Sequence, residues 1–394
     1  MADAFLRNLP NDLLLSAQLL YPISTDMKSI YLILMALFFL GANFYVFYRL
    51  VYMLPAVVAL RGLVVAIGIA VVLGFFGYFL GRSFLPEGML SAMYAVSSSW
   101  IFISIYFLVL FLVLDILRLV PGAPVEAILY KNWISFVVIV GFVAAVFVYG
   151  HRKYLNKERV ELEITVNKPH HHLNPPLKIV ALSDLHLGSN IGREEFAGWV
   201  DLINKEQPDI VLLAGDVIDS DVRPLYQQHM ADVFKQIKTK YGIYGVMGNH
   251  EYISGANKSI DFYEEAGIHL LRDASVLIEG RFYIVGRDDR SYYGRCPIWN
   301  LTDSLDKSKP IIVLDHQPYH LDEVVAHGVD LQLSGHTHRG QAWPISWITD
   351  ALYELSHGYK QKGNTHFYVS SGIGLWGGKY RIGTQSEYVV IHLK

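Results

Sequence analysis

Four long uncharged apolar runs dominate the first part of the chain. They hold 20, 20, 27 and 20 residues and lie at Ser29 to Tyr48, Gly62 to Gly81, Gly88 to Leu114 and Asn132 to His151. A helix needs about 20 apolar residues to cross the hydrocarbon core of a bilayer. Buried helices of soluble proteins usually keep a polar face, and these runs have almost none. The pattern therefore predicts four transmembrane helices in a membrane domain of residues 1–151.

Beyond residue 151, short β-rich runs alternate with longer amphipathic ones. The run "LKIVALSD" precedes the helical pattern "REEFAGWVDLINKEQ", and "DIVLLAGD", the helical pattern "LYQQHMADVFKQIK" and "GIYGVMGNH" come next. Later strands are predicted at "RFYIVG", "KPIIVLDH", "VDLQLSGH", "HFYVSSG" and "EYVVIHL", with fewer helices between them. This order predicts a layered α/β or α+β sandwich over residues 177–394 rather than a barrel of eight repeats.

Residues 152–176 are predicted to link these two parts. They contain a charged run, a predicted strand "VELEITV" from Val160 to Val166, and a proline-bounded loop with the triple His170 to His172. The composition of this loop favours a solvated or membrane-surface segment over a metal site.

Composition and charge narrow the functional classes. The 394 residues are 52% hydrophobic, with a mean hydropathy of +0.29 and a formal net charge of −3. Beyond residue 151 there are 26 Lys and Arg against 30 Asp and Glu. A mildly acidic part of this kind lacks the basic footprint of a nucleic-acid-binding domain. The single cysteine, Cys296, excludes an internal disulfide and fits a reducing compartment.

The distribution of Lys and Arg around the spans predicts their orientation. Four spans place both ends of the chain on one side of the membrane, and cytoplasmic flanks are enriched in Lys and Arg. The side of the chain ends carries Arg7, Lys28, Arg82, Arg152, Lys153, Lys157 and Arg159, and the other side carries Arg49, Arg61, Arg118 and Lys131. We therefore expect the part after the last span to be cytoplasmic.

Side chains that can bind metals appear where several predicted strands end. They are Asp184 and His186 in "SDLHLG", Asp216 in "AGDVID", Asn249 and His250 in "MGNHE", His316 in "LDHQP", and His336 and His338 in "SGHTH". In open α/β sheets, ligands bind beyond the carboxyl ends of the strands. These positions are therefore expected to converge, although they are far apart in the sequence.

The donors in this set indicate two metal ions. Carboxylate, imidazole and amide groups without thiolate suit manganese, iron or zinc. Without His250 the set has seven donors, which exceed what one four-coordinate ion needs. Two metals about 3.5 to 4 Å apart can clamp the attacking and leaving oxygens of a phosphoryl displacement. The set predicts a two-metal hydrolase, with manganese as the leading candidate.

The ordered motifs "DLH", "GD", "GNHE", "H" and "GHTH" resemble those of the calcineurin-like metallophosphoesterases, and the resemblance covers Leu177 to Lys394. It implies that a first metal is held by Asp184, His186 and His338, and a second by Asn249, His316 and His336. It implies further that Asp216 bridges the two metals. His250 is implied to contact the phosphate without binding metal and to be a candidate general acid.

The closing segment "SSGIGLWGGKYRIGTQSEYVVIHL" and the apolar N-terminal part resemble a narrower branch, the membrane-attached bacterial phosphoesterases. That branch includes alternative UDP-2,3-diacylglucosamine pyrophosphatases. The resemblance implies a multi-pass protein of the bacterial inner membrane that cleaves a phosphodiester or pyrophosphate bond of a lipid-linked substrate. Two other functions stay open. One is a broad phosphodiesterase that is only anchored to the membrane, and the other is a ligand-binding sensor without catalysis.

Several further polar residues have two interpretations each. Arg339 follows "GHTH", where the family often has glycine, and Arg339 and Arg381 are candidate phosphate contacts because a guanidinium binds phosphate bidentately. A surface role is the alternative for both arginines. Asp219 is expected to be a turn residue or to orient a metal-bound imidazole. The run "GRDDR", from Arg287 to Arg290 after its glycine, is expected to be a polar turn. The oligomeric state is left open.

Overall fold

The computed structural model describes residues 25–81, 84–166, 168, 173 and 175–394. Arg7, Arg82 and the triple His170 to His172 lie outside the described residues. Contacts between Cα atoms divide the chain into two compact units. One unit holds the residues up to Arg152 together with 377–380, and the other holds 153–376 together with 381–394.

The first unit is helical in its described part. Its helices are α1 (Thr25–Met53), α2 (Val58–Gly81), α3 (Glu87–Leu117), α4 (Val125–Leu129) and α5 (Trp133–Leu155), the last of which ends in the second unit. Among the described residues, α1, α2, α3 and α5 are long and apolar enough to cross a membrane. The four predicted spans are confirmed as long apolar helices, and each helix runs past at least one end of its uncharged run.

Charged side chains in these helices are paired near the helix ends. The guanidinium of Arg61 donates to the carbonyl oxygens of Leu54 and Pro55, at 2.7 and 3.1 Å. The carboxylate of Asp115 accepts a hydrogen bond from Arg49. Pairing lowers the cost of a charge close to the apolar part of a bilayer. This explains why α2 includes Arg61 and begins before the uncharged run.

The second unit contains two six-stranded sheets. Its strands are β1 (Lys157–Ile164), β2 (Leu177–Leu182), β3 (Ile210–Leu213), β4 (Ile243–Gly245), β5 (Ile268–Leu270), β6 (Ala274–Ile278), β7 (Phe282–Gly286), β8 (Ile311–Leu314), β9 (Leu331–Ser334), β10 (Gly358–Lys362), β11 (Thr365–Val369) and β12 (Ser386–Leu393). The first sheet has the order β1-β12-β2-β3-β4-β5, and the second has the order β10-β11-β9-β8-β7-β6.

The helices of this unit connect and cover the strands. They are α6 (Arg193–Glu206), α7 (Arg223–Gln227), α8 (Ala231–Phe234), α9 (Asn249–Ser254), α10 (Ala256–Glu265), α11 (Ile298–Thr302), α12 (Leu321–Ala326) and α13 (Ile345–Leu352), with a 3-10 turn at His338–Gly340. Strands β2 to β5 run parallel in the first sheet, and β7, β8, β9 and β11 run parallel in the second. The carboxyl ends of these strands therefore lie at one edge of each sheet.

The central strands are buried on both faces. In β8, Ile312 and Leu314 belong to the core between the two sheets, whereas Ile311 and Val313 pack with α11 and α12. Burial on both faces explains the continuous apolar runs of these strands, which show no alternation of polar positions. The predicted layered sandwich is confirmed.

One predicted helix is interrupted. The pattern from Leu225 to Lys238 forms two short helices, α7 and α8, because His229 adopts a left-handed φ of +50°. The N–H of Met230 then donates to the carbonyl oxygen of Leu225 at 2.9 Å and closes the end of α7. The apolar spacing survives the break, since Leu225, Met230 and Phe234 all enter the same core. The strand predicted at Val160 to Val166 begins and ends earlier in the structure, where β1 covers Lys157–Ile164.

Candidate metal centre

The seven predicted metal ligands all follow strands. Asp184 and His186 follow β2, Asp216 follows β3, Asn249 begins α9 after β4, His316 follows β8, and His336 and His338 follow β9. Strands β2, β3 and β4 belong to the first sheet, and β8 and β9 to the second. The structure therefore draws one cluster of side chains from the carboxyl ends of both sheets.

Asp184, His186 and His338 form the first group of potential ligands. The Nε2 atoms of His186 and His338 are 3.0 Å apart, and Nε2 of His338 is 3.4 Å from Oδ1 of Asp184. Two ligands at right angles on one ion, with bonds of about 2.1 Å, stand roughly 3.0 Å apart. The Nε2 atoms of His186 and His338 are therefore close enough to bind one shared cation.

Asp216, His316 and His336 form the second group. Nε2 of His316 is 3.1 Å from Oδ2 of Asp216, and Nδ1 of His336 is 2.8 Å from Oδ1 of Asn249. The same Oδ2 of Asp216 is 3.8 Å from Nε2 of His186 in the first group. Asp216 therefore stands between the two groups, as a bridging ligand would.

Unpaired buried nitrogen atoms support a metal site at this cluster. His316 uses Nδ1 in a hydrogen bond of 2.7 Å with the carbonyl oxygen of Ala214, and its buried Nε2 atom makes no hydrogen bond among the described residues, although Oδ2 of Asp216 lies 3.1 Å from it. Buried polar atoms are rarely left unsatisfied without a reason. The mixed oxygen and nitrogen donors without thiolate fit two divalent cations of the manganese, iron or zinc type.

The ionisation of His336, His338 and Asp216 favours cation binding, whereas burial raises the pKa of Asp184, and Asp216 outweighs burial to raise the pKa of His316, and both of these shifts oppose it. Burial lowers the pKa of His336 to about 3 and holds the pKa of His338 well below its usual range. Both rings are therefore neutral at pH 7, which is the form that binds a metal. Burial opposes the charge on Asp216, but the neighbouring His316 and His250 outweigh it and hold the pKa of Asp216 below its usual range.

The backbone of the cluster is strained in an unusual way. Five of the seven predicted ligands have a left-handed φ between +46° and +71°, namely Asp184, His186, Asp216, His336 and His338. Residues other than glycine adopt this conformation rarely, and such strain concentrates at functional sites. Gly248 and Gly335 complete the cluster, because a Cβ atom at these positions would collide with the carboxylates of Asp216 and Asp184.

His250 lies beside the first group with Asp219 behind it. Nδ1 of His250 is 2.7 Å from the carbonyl oxygen of Asp219 and 3.5 Å from its Oδ1 atom. The same Oδ1 atom is 3.6 Å from Nδ1 of His186. Burial acts to lower the pKa of His250, but Asp216 and Asp219 outweigh burial and raise the pKa to about 9. Of the two interpretations of Asp219, the structure favours the one in which it orients imidazoles.

Glu251 is a residue of the cluster to which the sequence assigned no role. Its buried carboxylate accepts hydrogen bonds from the N–H groups of Asp216, Ile218 and Gly248, at 3.1, 2.9 and 2.6 Å. It thereby connects the loop after β3 to the start of α9. A glutamate three residues after the residue that caps a helix often accepts hydrogen bonds from the backbone of the cap. Glu251 stands in this position relative to Gly248, and this spacing could have predicted its role.

The two candidate phosphate contacts differ in exposure. Arg339 is half-buried beside His338, with a left-handed φ of +49° that explains why glycine suits this position. Arg381 is fully buried, and its guanidinium donates to the carbonyl oxygens of His338, Ser371, Gly372 and Gly374. This burial argues against the predicted phosphate contact of Arg381. The N–H groups of its guanidinium bind backbone carbonyl oxygens around the cluster instead.

Three of the four residues in the predicted polar turn from Arg287 to Arg290 are buried. Arg287, Asp288 and Asp289 are 7%, 2% and 1% exposed. Arg287 donates to Asp315 at 2.9 Å, and Asp289 accepts hydrogen bonds from Gln317, so the partners stand on either side of His316. Partners this distant in sequence explain the burial, since paired polar groups tolerate it.

Comparison with known proteins agrees with this geometry. Residues 177–340 match the family model described as calcineurin-like phosphoesterase. A metallophosphoesterase of Helicobacter pylori is 33% identical over 229 residues, which cover 56% of this chain and 60% of that protein. A metallophosphoesterase of Aquifex aeolicus is 33% identical over 227 residues, which cover 55% of this chain and 85% of that protein.

A transmembrane protein with metallophosphoesterase domain from Danio rerio is 31% identical over 251 residues. The match covers 60% of this chain and 57% of that protein. The chain thus spans less than two thirds of the length of the Helicobacter pylori and Danio rerio relatives.

Removal of single ligands is expected to lower the metal content. Full-length protein purified with manganese should hold two ions per chain by elemental analysis, and Asp216→Ala or His336→Ala should hold fewer, because each loses a donor within the cluster. Asp216→Ala should also lose hydrolysis of bis(p-nitrophenyl) phosphate. His269→Ala is the matched control, since its imidazole is exposed and lies outside both groups. Two ions per chain in both ligand variants would contradict the assignment.

Proposed function

Because the chain belongs to the calcineurin-like metallophosphoesterases, we propose that it is a membrane-bound, metal-dependent phosphoesterase that hydrolyses a phosphodiester or pyrophosphate bond. The observation that carries this proposal is the convergence of two ligand groups on Asp216, whose Oδ2 atom is 3.1 Å from His316 and 3.8 Å from His186. An arrangement of this kind suits two cations that act on one phosphate.

One set of residues is proposed to bind the cations, and His250 is proposed to transfer a proton. Asp184, His186 and His338 would hold one cation, Asn249, His316 and His336 would hold the other, and Asp216 would contact both. When bound, two divalent cations supply Lewis acidity to the scissile phosphate. Manganese is the proposed ion, with iron and zinc as alternatives.

His250 is proposed to donate a proton to the leaving oxygen. Its Nδ1 atom is bound to the carbonyl oxygen of Asp219 at 2.7 Å, so Nε2 is the ring nitrogen left for the substrate. The carboxylate of Asp219 stabilises the protonated ring from 3.5 Å. A positioned imidazolium can protonate a leaving group as its bond to phosphorus breaks.

Replacement of His250 is expected to separate this role from metal binding. His250→Gln should lower kcat for a diester with an alkyl leaving group about 100-fold or more, which is the usual contribution of a general acid. The loss should be much smaller for p-nitrophenyl esters, because p-nitrophenolate leaves without protonation. Metal content serves as the internal control and should stay at two ions per chain. Equal losses for both leaving groups would contradict the proton-donor role.

A lipid-linked substrate is the finer part of the proposal. It is supported by the four apolar helices, which are long and apolar enough to cross a bilayer, and by the resemblance to membrane-attached phosphoesterases. UDP-2,3-diacylglucosamine is the leading named candidate. The alternatives are a broad phosphodiesterase that uses the helices only as an anchor and a non-catalytic sensor.

A panel of substrates distinguishes these alternatives. We expect full-length protein in mixed micelles to hydrolyse UDP-2,3-diacylglucosamine or another lipid phosphate with a kcat/KM at least about tenfold above that for the matching soluble headgroup ester, a preference of roughly 1.4 kcal/mol. Equal values would favour the anchored phosphodiesterase. Two bound ions without turnover of any substrate in the panel would favour the sensor.

The α/β unit is proposed to lie in the cytoplasm, with the helices in a bacterial inner membrane. The support is the excess of Lys and Arg on the side of the chain ends, including Arg152, Lys153, Lys157 and Arg159 just after the last span. A reporter fused after Lys394 should therefore be active if it works in the cytoplasm and inactive if it requires export. The reverse result would refute this orientation.

A further inference from the structure

Three arginines surround a cavity next to the proposed metal centre. The cavity has a volume of about 260 Å³, and its lining includes Arg287, Arg290, Arg295 and Asp315. Tyr292, Tyr319, Gln317 and His320 also line it. Three guanidinium groups and one carboxylate give this lining a net charge of +2 with His320 neutral.

The single carboxylate is shared by two of the arginines. Arg287 donates to Oδ2 of Asp315 at 2.9 Å, and Arg295 donates to the same oxygen. Arg287 is only 7% exposed, and the Nε atoms of Arg287 and Arg295 have no hydrogen-bond partner within the described part of the chain. Oδ1 of Asp315 is also unpaired. Buried cations in excess of their counterions are costly, so this cluster would gain from an anion.

The other acidic residues near the cavity make their hydrogen bonds with other groups, although the charge of Asp273 still acts on Arg287. Asp273 accepts hydrogen bonds from the N–H groups of Asp288 and Cys296, at 2.9 and 2.7 Å. Asp288 forms an ion pair with Arg272 at 2.8 Å, and Asp289 accepts hydrogen bonds from Gln317. None of these carboxylates is hydrogen-bonded to Arg287, Arg290 or Arg295 in the contacts that the described residues make.

The cavity adjoins the metal centre through His316. Asp315 and Gln317, which line the cavity, are the two chain neighbours of this proposed ligand. On another side, the hydroxyl of Tyr319 donates to the hydroxyl of Tyr353 at 3.1 Å, and the Tyr353 ring lies 6.3 Å from the His336 ring. These contacts connect the lining of the cavity to His316 and His336 of the proposed metal centre.

We propose that this arginine cavity binds a second phosphate group of the substrate, separate from the phosphate that is cleaved. The inference rests on the proposed phosphoesterase function and narrows its substrates to molecules with at least two phosphate groups. Guanidinium groups suit this ligand because their planar N–H donors match phosphate oxygens in pairs. Arg290 is the accessible member of the cluster, exposed at the rim with its guanidinium 4.4 Å above the Tyr319 ring.

A pair of chromogenic substrates tests the proposal. Thymidine 5′-(p-nitrophenyl phosphate) and its 3′-phosphorylated form share the scissile bond and differ by one phosphate group. With manganese-loaded full-length protein, we expect the 3′-phosphorylated ester to have the lower KM by about tenfold, the effect of one charge-assisted contact. Arg295→Gln and Arg290→Gln should each remove most of this KM ratio. Arg159→Gln is the matched control, because this arginine is paired with Glu206 at the surface, and it should keep the ratio.

The outcomes separate the two levels of the proposal. Hydrolysis of both esters without a difference in KM, or with a ratio that persists in both variants, would overturn the cavity assignment and leave the phosphoesterase function in place. Failure to hydrolyse either ester would overturn both. If the two esters have equal KM values while inorganic phosphate alters turnover of the simpler ester in the parent protein but not in Arg295→Gln, the cavity binds free anions, and its assignment to the substrate is wrong. The midpoint of thermal unfolding and the metal content of both variants must match those of the parent protein. If Arg295→Gln fails to fold, the KM ratio of Arg290→Gln alone tests the cavity assignment.

Discussion

The burial of two carboxylates at the ends of neighbouring strands is the constraint on which the α/β unit depends. Asp184 and Asp216 are 0% and 2% exposed. A buried ionised group costs several kcal/mol unless nearby charges and donors compensate for it. The N–H of His336 lies 3.0 Å from Oδ1 of Asp184, and the N–H of His250 lies 2.9 Å from Oδ1 of Asp216. The loops that carry the imidazoles therefore also donate hydrogen bonds to the carboxylates. The positions of the imidazoles and the positions of the carboxylates depend on each other.

This constraint explains the conformation of the loops. A strand that ends in a left-handed residue turns sharply, so its next side chains project over the end of the sheet instead of continuing along it. Asp184, Asp216 and His336 are the left-handed residues that follow β2, β3 and β9. Glu251 and Arg381 stabilise the turned segments by hydrogen bonds to backbone groups. The strain is offset by the surrounding structure, because the central strands are buried on both faces and leave the loops little freedom.

Features that depend on local pattern could be predicted from the sequence, and features that depend on distant partners could not. The strand at Ile210–Leu213 and the acid that follows it, Asp216, are recognisable because an apolar run stops at a charge. The break at His229 was missed, since apolar spacing alone does not report a single left-handed residue. The burial of Arg287 was missed for another reason, because its counterion Asp315 lies 28 positions further along the chain.

An α/β unit with more acidic than basic residues has to attract an anionic substrate locally, because its net charge works against binding. Exposed charges are screened beyond about 8 Å at physiological salt, so the surface carboxylates contribute little at the site itself. The local field there comes from the cations of the proposed metal centre and from the arginines beside it. Asp315 is central to this field, because it contacts both Arg287 and Arg295 yet neutralises only one of them. It thereby keeps two guanidinium groups in place for an anion, whereas a second carboxylate at the same position would have satisfied them and closed the cavity to phosphate.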